Sequence, residues 1–283
     1  MRATIGIANH KGGVGKSVSA VNLSGALALS GRRTLLVDVD SQAHATLWFT
    51  EVADVAADLE DVVVRGVATA SAILPTRIEG LDLLPATLSL ARLDLALVGM
   101  TRREDRIRRA LTPVAERYDY IVLDLAPSLS LTTLAALAAS THLVVPVSGS
   151  MLAMAALGTF LGWLEEFRRE DVITAELLGV LPTMIDARTR SSREVLEALA
   201  ASELPVFAPV PKRVAVEDQV GARALAIEEP GAVGDAYHQL AGDVIARIEG
   251  AYDPADTIEN ALAEMDDPVM SSPAIEGDAS DGR

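Results

Sequence analysis

The sequence predicts an α/β fold in which a mostly parallel, twisted sheet carries helices on both faces. Short apolar runs rich in β-branched residues recur along the chain, and segments with helical spacing separate them. A glycine-rich turn joins the first run to the first helix, and two later runs end in aspartates. Because parallel strands place their carboxyl ends at one edge of the sheet, these features predict a ligand site at that edge.

Length and composition favour one domain followed by a tail. The chain has 283 residues, half of them hydrophobic, which is enough for one large core. We assign residues 1–250 to the domain and 251–283 to an acidic tail, whose prolines and carboxylates predict disorder. The lack of cysteine excludes disulfides and cysteine-ligated clusters. No signal peptide or spanning apolar run is evident, so we expect a cytoplasmic protein with no membrane partner.

Charge limits the ways in which this chain could contact nucleic acid. The formal net charge is −16 and the sequence pI is near 4.6, which argues against a broadly basic, nucleic-acid-coating surface. Any DNA contact must therefore come from a local patch. Arginines are concentrated over residues 102–109, interleaved with acids. Such a run is typical of a solvated helix face, with a partner or DNA patch as the alternative.

The glycine-rich turn is a predicted phosphate-binding loop. It follows an apolar run over residues 4–8 and precedes helical spacing over residues 18–30. Glycines let backbone N–H groups converge on an anion, and the helix N-terminus favours negative charge there. Lys16 could bridge the β- and γ-phosphates, and the Ser17 hydroxyl could ligate Mg²⁺. The loop pattern predicts phosphate and Mg²⁺ as ligands; with the resemblance given below, the predicted ligands are ATP and Mg²⁺ and the predicted binding residues are Lys11, Gly12, Gly13, Val14, Gly15, Lys16, Ser17 and Val18. A turn that merely joins strand to helix is the alternative.

The loop departs from the ordinary Walker A pattern, which has glycine where His10 stands. The order Lys-Gly-Gly-Val-Gly-Lys-Ser over residues 11–17 instead resembles the deviant Walker A motif of the ParA/MinD group of ATPases. That resemblance implies a P-loop NTPase-like fold and an ATP-dependent homodimer in which Lys11 reaches the partner's phosphates. Val18 replaces the family's second threonine, which leaves only its backbone N–H for the α-phosphate. Catalytic roles are implied for Lys11, Lys16 and Asp40.

Aspartates end two of the predicted strands. By the same resemblance, Asp40 positions the attacking water, Asp38 supports Mg²⁺, and Asp124 is the Walker B residue that serves Mg²⁺ or the Ser17 hydroxyl. Ser41 stands where the family has proline, and the first of the two prolines that usually follow the Walker B aspartate is missing. The predicted metal site is therefore Ser17, Asp38 and Asp124.

The remaining apolar and helical patterns complete the predicted sheet. By the same resemblance, residues 129–139 would be a switch segment that responds to the γ-phosphate. We predict strands over residues 32–38, 81–85, 118–124, 142–147, 177–184 and 206–211, helices over residues 101–117, 151–168 and 231–249, and a loop and helix over residues 129–139.

A second segment, after the predicted strand over residues 177–184, makes the family resemblance more specific. Residues 184–189 resemble the Met-x-Asp-x-Arg-Thr segment of ParA and Soj proteins. In that family, the segment that begins at Pro211 lies against the adenine, and residues just beyond it bind DNA nonspecifically. Ala215 replaces an arginine of the family pattern. The predicted contacts to DNA phosphates are Arg188, Arg190, Arg193, Lys212, Arg213 and Arg223.

These observations predict a ParA-like ATPase that dimerises on ATP, binds DNA nonspecifically and positions or segregates a chromosome, plasmid or other cargo. A ParB-like or other adaptor would stimulate an otherwise weak hydrolysis, and the protein would be associated with the nucleoid. One alternative is a MinD-like, membrane-associated division-site regulator, although the acidic tail lacks the basic lipid-binding helix. The other is a metabolic enzyme of the same fold, such as a dethiobiotin synthetase-like ligase or a bacterial tyrosine kinase.

Overall fold

A computed structural model describes residues 1–212 and 225–250 of the chain. Within those ranges a seven-stranded sheet has the order β3-β4-β2-β5-β1-β6-β7 and is parallel except for the short antiparallel edge strand β3. This confirms the predicted fold class. The strands are β1 Ala3–Ile7, β2 Thr34–Val39, β3 Leu74–Pro75, β4 Leu81–Leu84, β5 Tyr120–Leu125, β6 His142–Ser148 and β7 Glu176–Thr183.

Helices cover both faces of this sheet. Along β2 the buried side chains alternate, with Leu35 and Val37 in one apolar cluster and Leu36 in the other. Helices α1 and α9 supply the cluster around Leu36, and α4 to α8 supply the opposite one. The helices are α1 Lys16–Leu29, α2 His44–Leu47, α3 Thr69–Ala72, α4 Leu93–Val98, α5 Arg106–Leu111, α6 Leu131–Ala139, α7 Met151–Arg169, α8 Arg190–Ala200 and α9 Ala232–Glu249.

The three central strands explain why the sequence pattern is so clear. Every residue of β1, β2 and β5 is buried, and strands buried on both faces form nearly continuous apolar runs. In the parallel register, Asp124 of β5 pairs with Ile7 of β1 on one side and with Asp38 of β2 on the other. The residues that follow Ile7 form the glycine-rich loop. The fold thus brings this loop and the aspartates to one edge of the sheet.

Two predicted elements were wrong in detail. The strand over residues 206–211 is not continuous, because Val206 and Pro211 make only isolated bridges and the intervening Pro209 has no N–H to donate. The helix over residues 101–117 is broken as well.

In place of one helix, residues 103–117 form two 3-10 turns, Arg103–Asp105 and Thr112–Arg117, on either side of α5. Arg102 has a left-handed φ of 51°, which separates the first turn from α4, and Pro113 lies at the start of the second turn. Of the residues described, no helix is both long and apolar enough to cross a membrane. The predicted tail, 251–283, lies outside the described residues.

Candidate nucleotide site

The glycine-rich loop between β1 and α1 has the shape of an anion cradle. Gly13 and Gly15 have φ values of 72° and 80°, in the left-handed region that glycine adopts without a Cβ penalty. A Cβ added at Gly12 or Gly13 would meet no atom of residues 1–212 and 225–250 within 4 Å, so the described part of the chain leaves this side of the loop open. Gly15 is the N-cap of α1, and no side chain caps that helix. Its first turn therefore presents backbone donors to a ligand.

Distant side chains fix the loop in place. Asn9 is 2% exposed; its Nδ2 donates to the Pro146 carbonyl at 2.8 Å, and its Oδ1 accepts from the Lys11 N–H at 3.0 Å. The Thr183 hydroxyl donates to the Val14 carbonyl at 2.9 Å. Neither anchor was predicted from the sequence. A polar residue directly after a buried strand was a usable signal for Asn9, whereas nothing near Thr183 in the sequence indicates its contact.

The two lysines of the loop are held differently. Lys16 is buried, and its Nζ donates to the Lys11 carbonyl at 3.1 Å, inside the loop. Burial lowers the pKa of Lys16, and the nearby charges of Asp124 and Asp40 oppose that shift. Lys11 Nζ instead contacts Ser150 Oγ at 3.4 Å, at the N-cap of α7. Lys16 thus serves its own loop, and Lys11 lies at the rim.

Asp124 is a buried carboxylate whose oxygens lack a hydrogen-bond partner in the described part of the chain. Its side chain is fully buried, and neither oxygen is in hydrogen-bond geometry with any group of the described ranges. Burial raises the pKa of Asp124 well above its usual value, and the Asp38 charge adds to this; the nearby Ser17 hydroxyl and Lys16 oppose it. An orphaned carboxylate beside a serine hydroxyl suits a hard cation such as Mg²⁺. These residues therefore fit the predicted metal.

Asp38 is also fully buried, but both of its oxygens accept hydrogen bonds. Thr46 donates to Oδ2 through its N–H and its hydroxyl, each at 2.8 Å, and the Asp40 N–H donates to Oδ1 at 3.1 Å. Burial nevertheless raises the pKa of Asp38 to about 6. Since these bonds occupy the carboxylate, its geometry favours supporting the site over direct metal ligation. Thr46 is a further residue that the sequence analysis missed.

Asp40 directly follows β2, at the same edge of the sheet. It is 9% exposed, and its Oδ1 accepts from the Gln42 N–H at 2.9 Å. The turn closes without the family's proline at Ser41, because the Ala43 N–H donates to the Asp40 carbonyl at 2.9 Å. The Asp40 charge raises the pKa of both Lys16 and Asp124, so it lies near both groups. Its role in orienting a water stays a prediction.

The loop edge also includes part of the predicted base-binding segment. A Cβ at Gly15 would lie 3.4 Å from Cε of Met184, which directly follows β7. The next residue, Ile185, pairs with Pro211 in a parallel bridge. Pro211 therefore lies beside Ile185, and the preceding residue, Met184, lies against the phosphate loop. Its contact with adenine remains a prediction.

Most of the predicted DNA contacts share one region. Arg188, Arg190 and Arg193 lie on the connection from β7 to α8 and its first turns, and Lys212 joins them through its N–H bond to the Ile185 carbonyl. Arg213 and Arg223 lie outside the described residues, as does Ala215.

Some of these cations already have acidic partners. Arg188 binds Asp186 through two bonds of 2.9 Å and thereby lowers the pKa of Asp186 to about 2, and Arg190 Nε binds Glu194 at 2.7 Å. Both arginine side chains remain about nine-tenths exposed, at 87% and 90%. A phosphate would have to compete with these carboxylates, so this surface is less purely basic than its sequence implies.

Comparison with known proteins agrees with this geometry. The profile of a family described as an AAA domain (AAA_31) matches residues 2–177. The sporulation initiation inhibitor protein Soj of Bacillus subtilis is 41% identical over 198 residues, which are 70% of this chain and 78% of that protein. The chromosome-partitioning ATPase Soj of Thermus thermophilus is 36% identical over 251 residues, 87% of this chain and 97% of that protein.

Solved structures share the fold. Cobyrinic acid a,c-diamide synthase from Mycobacterium smegmatis, with bound ADP and magnesium, has a TM-score of 0.78 and 30% identity over 89% of this chain and 97% of that chain. McdA of Cyanothece in complex with ATP also has a TM-score of 0.78, at 21% identity over 88% of this chain and 97% of that chain, which shows the fold alone. With the two Soj relatives, the deviant loop and the paired aspartates, this chain belongs to the ParA/Soj family of partition ATPases.

Proposed function

We propose that the chain binds ATP with Mg²⁺ and hydrolyses it as the switch of a partition system. The observation that carries this proposal is the arrangement of Lys16, Asp124 and Ser17 around an open glycine loop. The loop amides and Lys16 would hold the phosphates, while Ser17 and Asp124 would hold the metal. Bound Mg²⁺ would neutralise charge on the phosphate oxygens.

Hydrolysis would transfer the γ-phosphoryl group to water. Asp40 would orient that water, and Lys16 would stabilise the charge that develops on the phosphoryl oxygens. As in the ParA/Soj family, we expect slow turnover by the isolated protein and stimulation by a partner.

The switch requires a second copy of the chain. Lys11 lies at the rim and contacts Ser150, and its ammonium does not enter its own loop. Two copies facing each other across their nucleotides would let each Lys11 reach the other's phosphates. ATP binding would thereby be coupled to dimerisation, and hydrolysis to separation.

The ATP-bound dimer would bind DNA nonspecifically and associate with the nucleoid. Pairing two copies doubles the exposed arginines at α8, and several phosphate contacts together give salt-sensitive affinity. A ParB-like or other adaptor would connect the ATPase to a chromosome, plasmid or other cargo. The test is binding to a random-sequence duplex with and without ATP. We expect ATP-dependent binding that weakens steeply with salt; equal binding without nucleotide would contradict the proposal.

An amide-forming metabolic enzyme is the second candidate, favoured by the synthase likeness at 30% identity. Such an enzyme would need a carboxylate acceptor for each ATP consumed, whereas a partition ATPase needs only water. ATP turnover in buffer without any acceptor, increased by DNA together with an adaptor, distinguishes the two. The rim position of Lys11 has a role in the partition mechanism and none in the synthase alternative.

A further inference from the structure

His10 occupies the place where the ordinary phosphate loop has glycine, and its ring packs against helix α7. The ring stacks on Phe160 with centroids 6.3 Å apart and lies edge-on to Trp163 at 4.9 Å. Phe160 is 2% exposed, within the core on that side of the sheet, and Trp163 packs against the same core. Because they are three residues apart, Phe160 and Trp163 form one aromatic face of α7.

The contact is made by the ring of His10, and Nδ1 takes no part in hydrogen bonding. Nδ1 is buried, and no hydrogen-bond partner for it exists within residues 1–212 and 225–250. Burial lowers the pKa of His10, and the positive charge of Lys16 lowers it further, which favours the neutral imidazole. A ring packed against Phe160 and Trp163 with this nitrogen unpartnered contributes packing.

Three consecutive residues connect the loop to this side of the sheet. Asn9 bonds to Pro146 of β6, His10 packs on α7, and Lys11 contacts Ser150 at the start of α7. Ser150 in turn caps α7, since its hydroxyl accepts from the Ala153 N–H. The loop therefore contacts α7 at two places, at the N-cap Ser150 and near the middle of the helix at Phe160 and Trp163.

We propose that His10 is a positioning residue, whose ring couples the phosphate loop to α7 and thereby sets the place of Lys11. The coupling itself requires only that the loop binds ATP. The consequence for Lys11 rests on the proposed function, in which that lysine serves the partner's nucleotide.

Trp163 provides a direct spectroscopic readout. In the full-length protein, ATP with Mg²⁺ should change Trp163 emission, and His10→Ala should remove most of that change while the Kd for ATP stays within about threefold. His10→Phe keeps the ring and should retain at least half of the change. Trp163→Phe identifies the signal against the other tryptophan, Trp48, and Lys16→Ala shows that it needs bound nucleotide.

Each result either supports or contradicts the coupling of the phosphate loop to α7 through His10. A wild-type signal that does not change with ATP bound, or a full change in His10→Ala, overturns it. Equal loss in His10→Phe and His10→Ala would instead assign the role to imidazole chemistry and contradict the ring-packing argument. These outcomes are independent of DNA binding, so failure of the partition proposal would be seen separately.

Steady-state kinetics provides the second readout. Because Lys16 stays in its loop, His10→Ala should leave KM for ATP within about threefold and lower the stimulated kcat roughly tenfold or more, as a misplaced Lys11 implies. His10→Phe should recover most of kcat. A rise in KM with kcat unchanged would show that the ring only shapes the nucleotide pocket and would refute a role in placing Lys11.

Discussion

Asp38 and Asp124 occupy paired positions on the neighbouring strands β2 and β5, and both carboxylates are fully buried. Burial raises the pKa of both carboxyls; the Asp38 charge raises the pKa of Asp124 further, and the Asp40 charge raises the pKa of Asp38 further. The buried Lys16 ammonium opposes the shift of Asp124. The nucleotide-free site therefore carries a stored electrostatic cost that a bound cation would relieve.

The first prediction is that Asp124→Asn stabilises the nucleotide-free protein at pH 7.5 by about 1–3 kcal/mol. The change keeps the shape and removes a carboxyl whose ionised form is destabilised by burial and by the Asp38 charge. It should also abolish the extra stability that Mg²⁺ adds to bound ATP. Thermal unfolding with and without each ligand measures both effects, and a lower melting temperature in the variant would contradict the first.

The sign of the pH dependence follows from linkage. Because folding raises these carboxyl pKa values, the folded state holds more protons above about pH 4, and the free energy of unfolding falls as pH rises towards the Asp38 value of about 6. Asp124→Asn should flatten that fall. Asp119 is a control of opposite sign: Arg33 lowers its pKa, so its contribution is lost as pH falls.

A second prediction concerns the loop backbone. Gly13→Ala forces a Cβ into a left-handed φ of 72° and should cost about 1–2 kcal/mol of stability. Gly12 is the matched control, because its side is equally open and its φ is not in that region. Chemical denaturation compares the two alanine variants. Equal stability would show that the loop changes conformation freely.

The third prediction concerns Lys16. Lys16→Ala should weaken ATP binding by at least about 100-fold, since it removes a buried charge-assisted contact to the phosphates. Arg108→Ala removes an exposed cation of α5, outside the loop, and should change the Kd for ATP by less than about twofold. Isothermal titration measures both constants. If Lys16→Ala kept normal affinity, the assignment of the phosphate site would be wrong.

The fourth prediction assigns the water-orienting carboxylate. Asp40→Ala should lower the rate of ATP hydrolysis by about 100-fold or more and leave the Kd for ATP within about threefold. Phosphate release under single-turnover conditions measures the chemical step without product release. A variant that hydrolyses ATP at the wild-type rate would mean that another group orients the water.

The sequence was sufficient to predict the central strands of the sheet. It was insufficient to predict the distant side chains that hold the site in place. Strands buried on both faces form apolar runs, so β1, β2 and β5, with Asp38 and Asp124 at their ends, could be predicted from local pattern. The edge strand Leu74–Pro75 was missed, since two residues cannot display a period.

The partners that hold the site come from far along the chain. Thr183 bonds the loop at Val14 across 169 residues, and Ser150 meets Lys11 across 139. No spacing rule links such positions, because only the completed sheet brings them together. The strand predicted over residues 206–211 was wrong for another reason. Its apolar pattern predicts a strand, but its prolines have no N–H to donate to a neighbouring strand.

The central claim is that Lys11 acts on the nucleotide of a second copy. The most direct measurement is the sedimentation of Asp40→Ala with saturating ATP and Mg²⁺, compared with the same variant carrying Lys11→Ala. We expect the first to be a dimer and the second to remain a monomer with ATP bound. An ATP-loaded Asp40→Ala protein that sediments as a monomer, or a doubly substituted protein that still forms the dimer, would contradict the account.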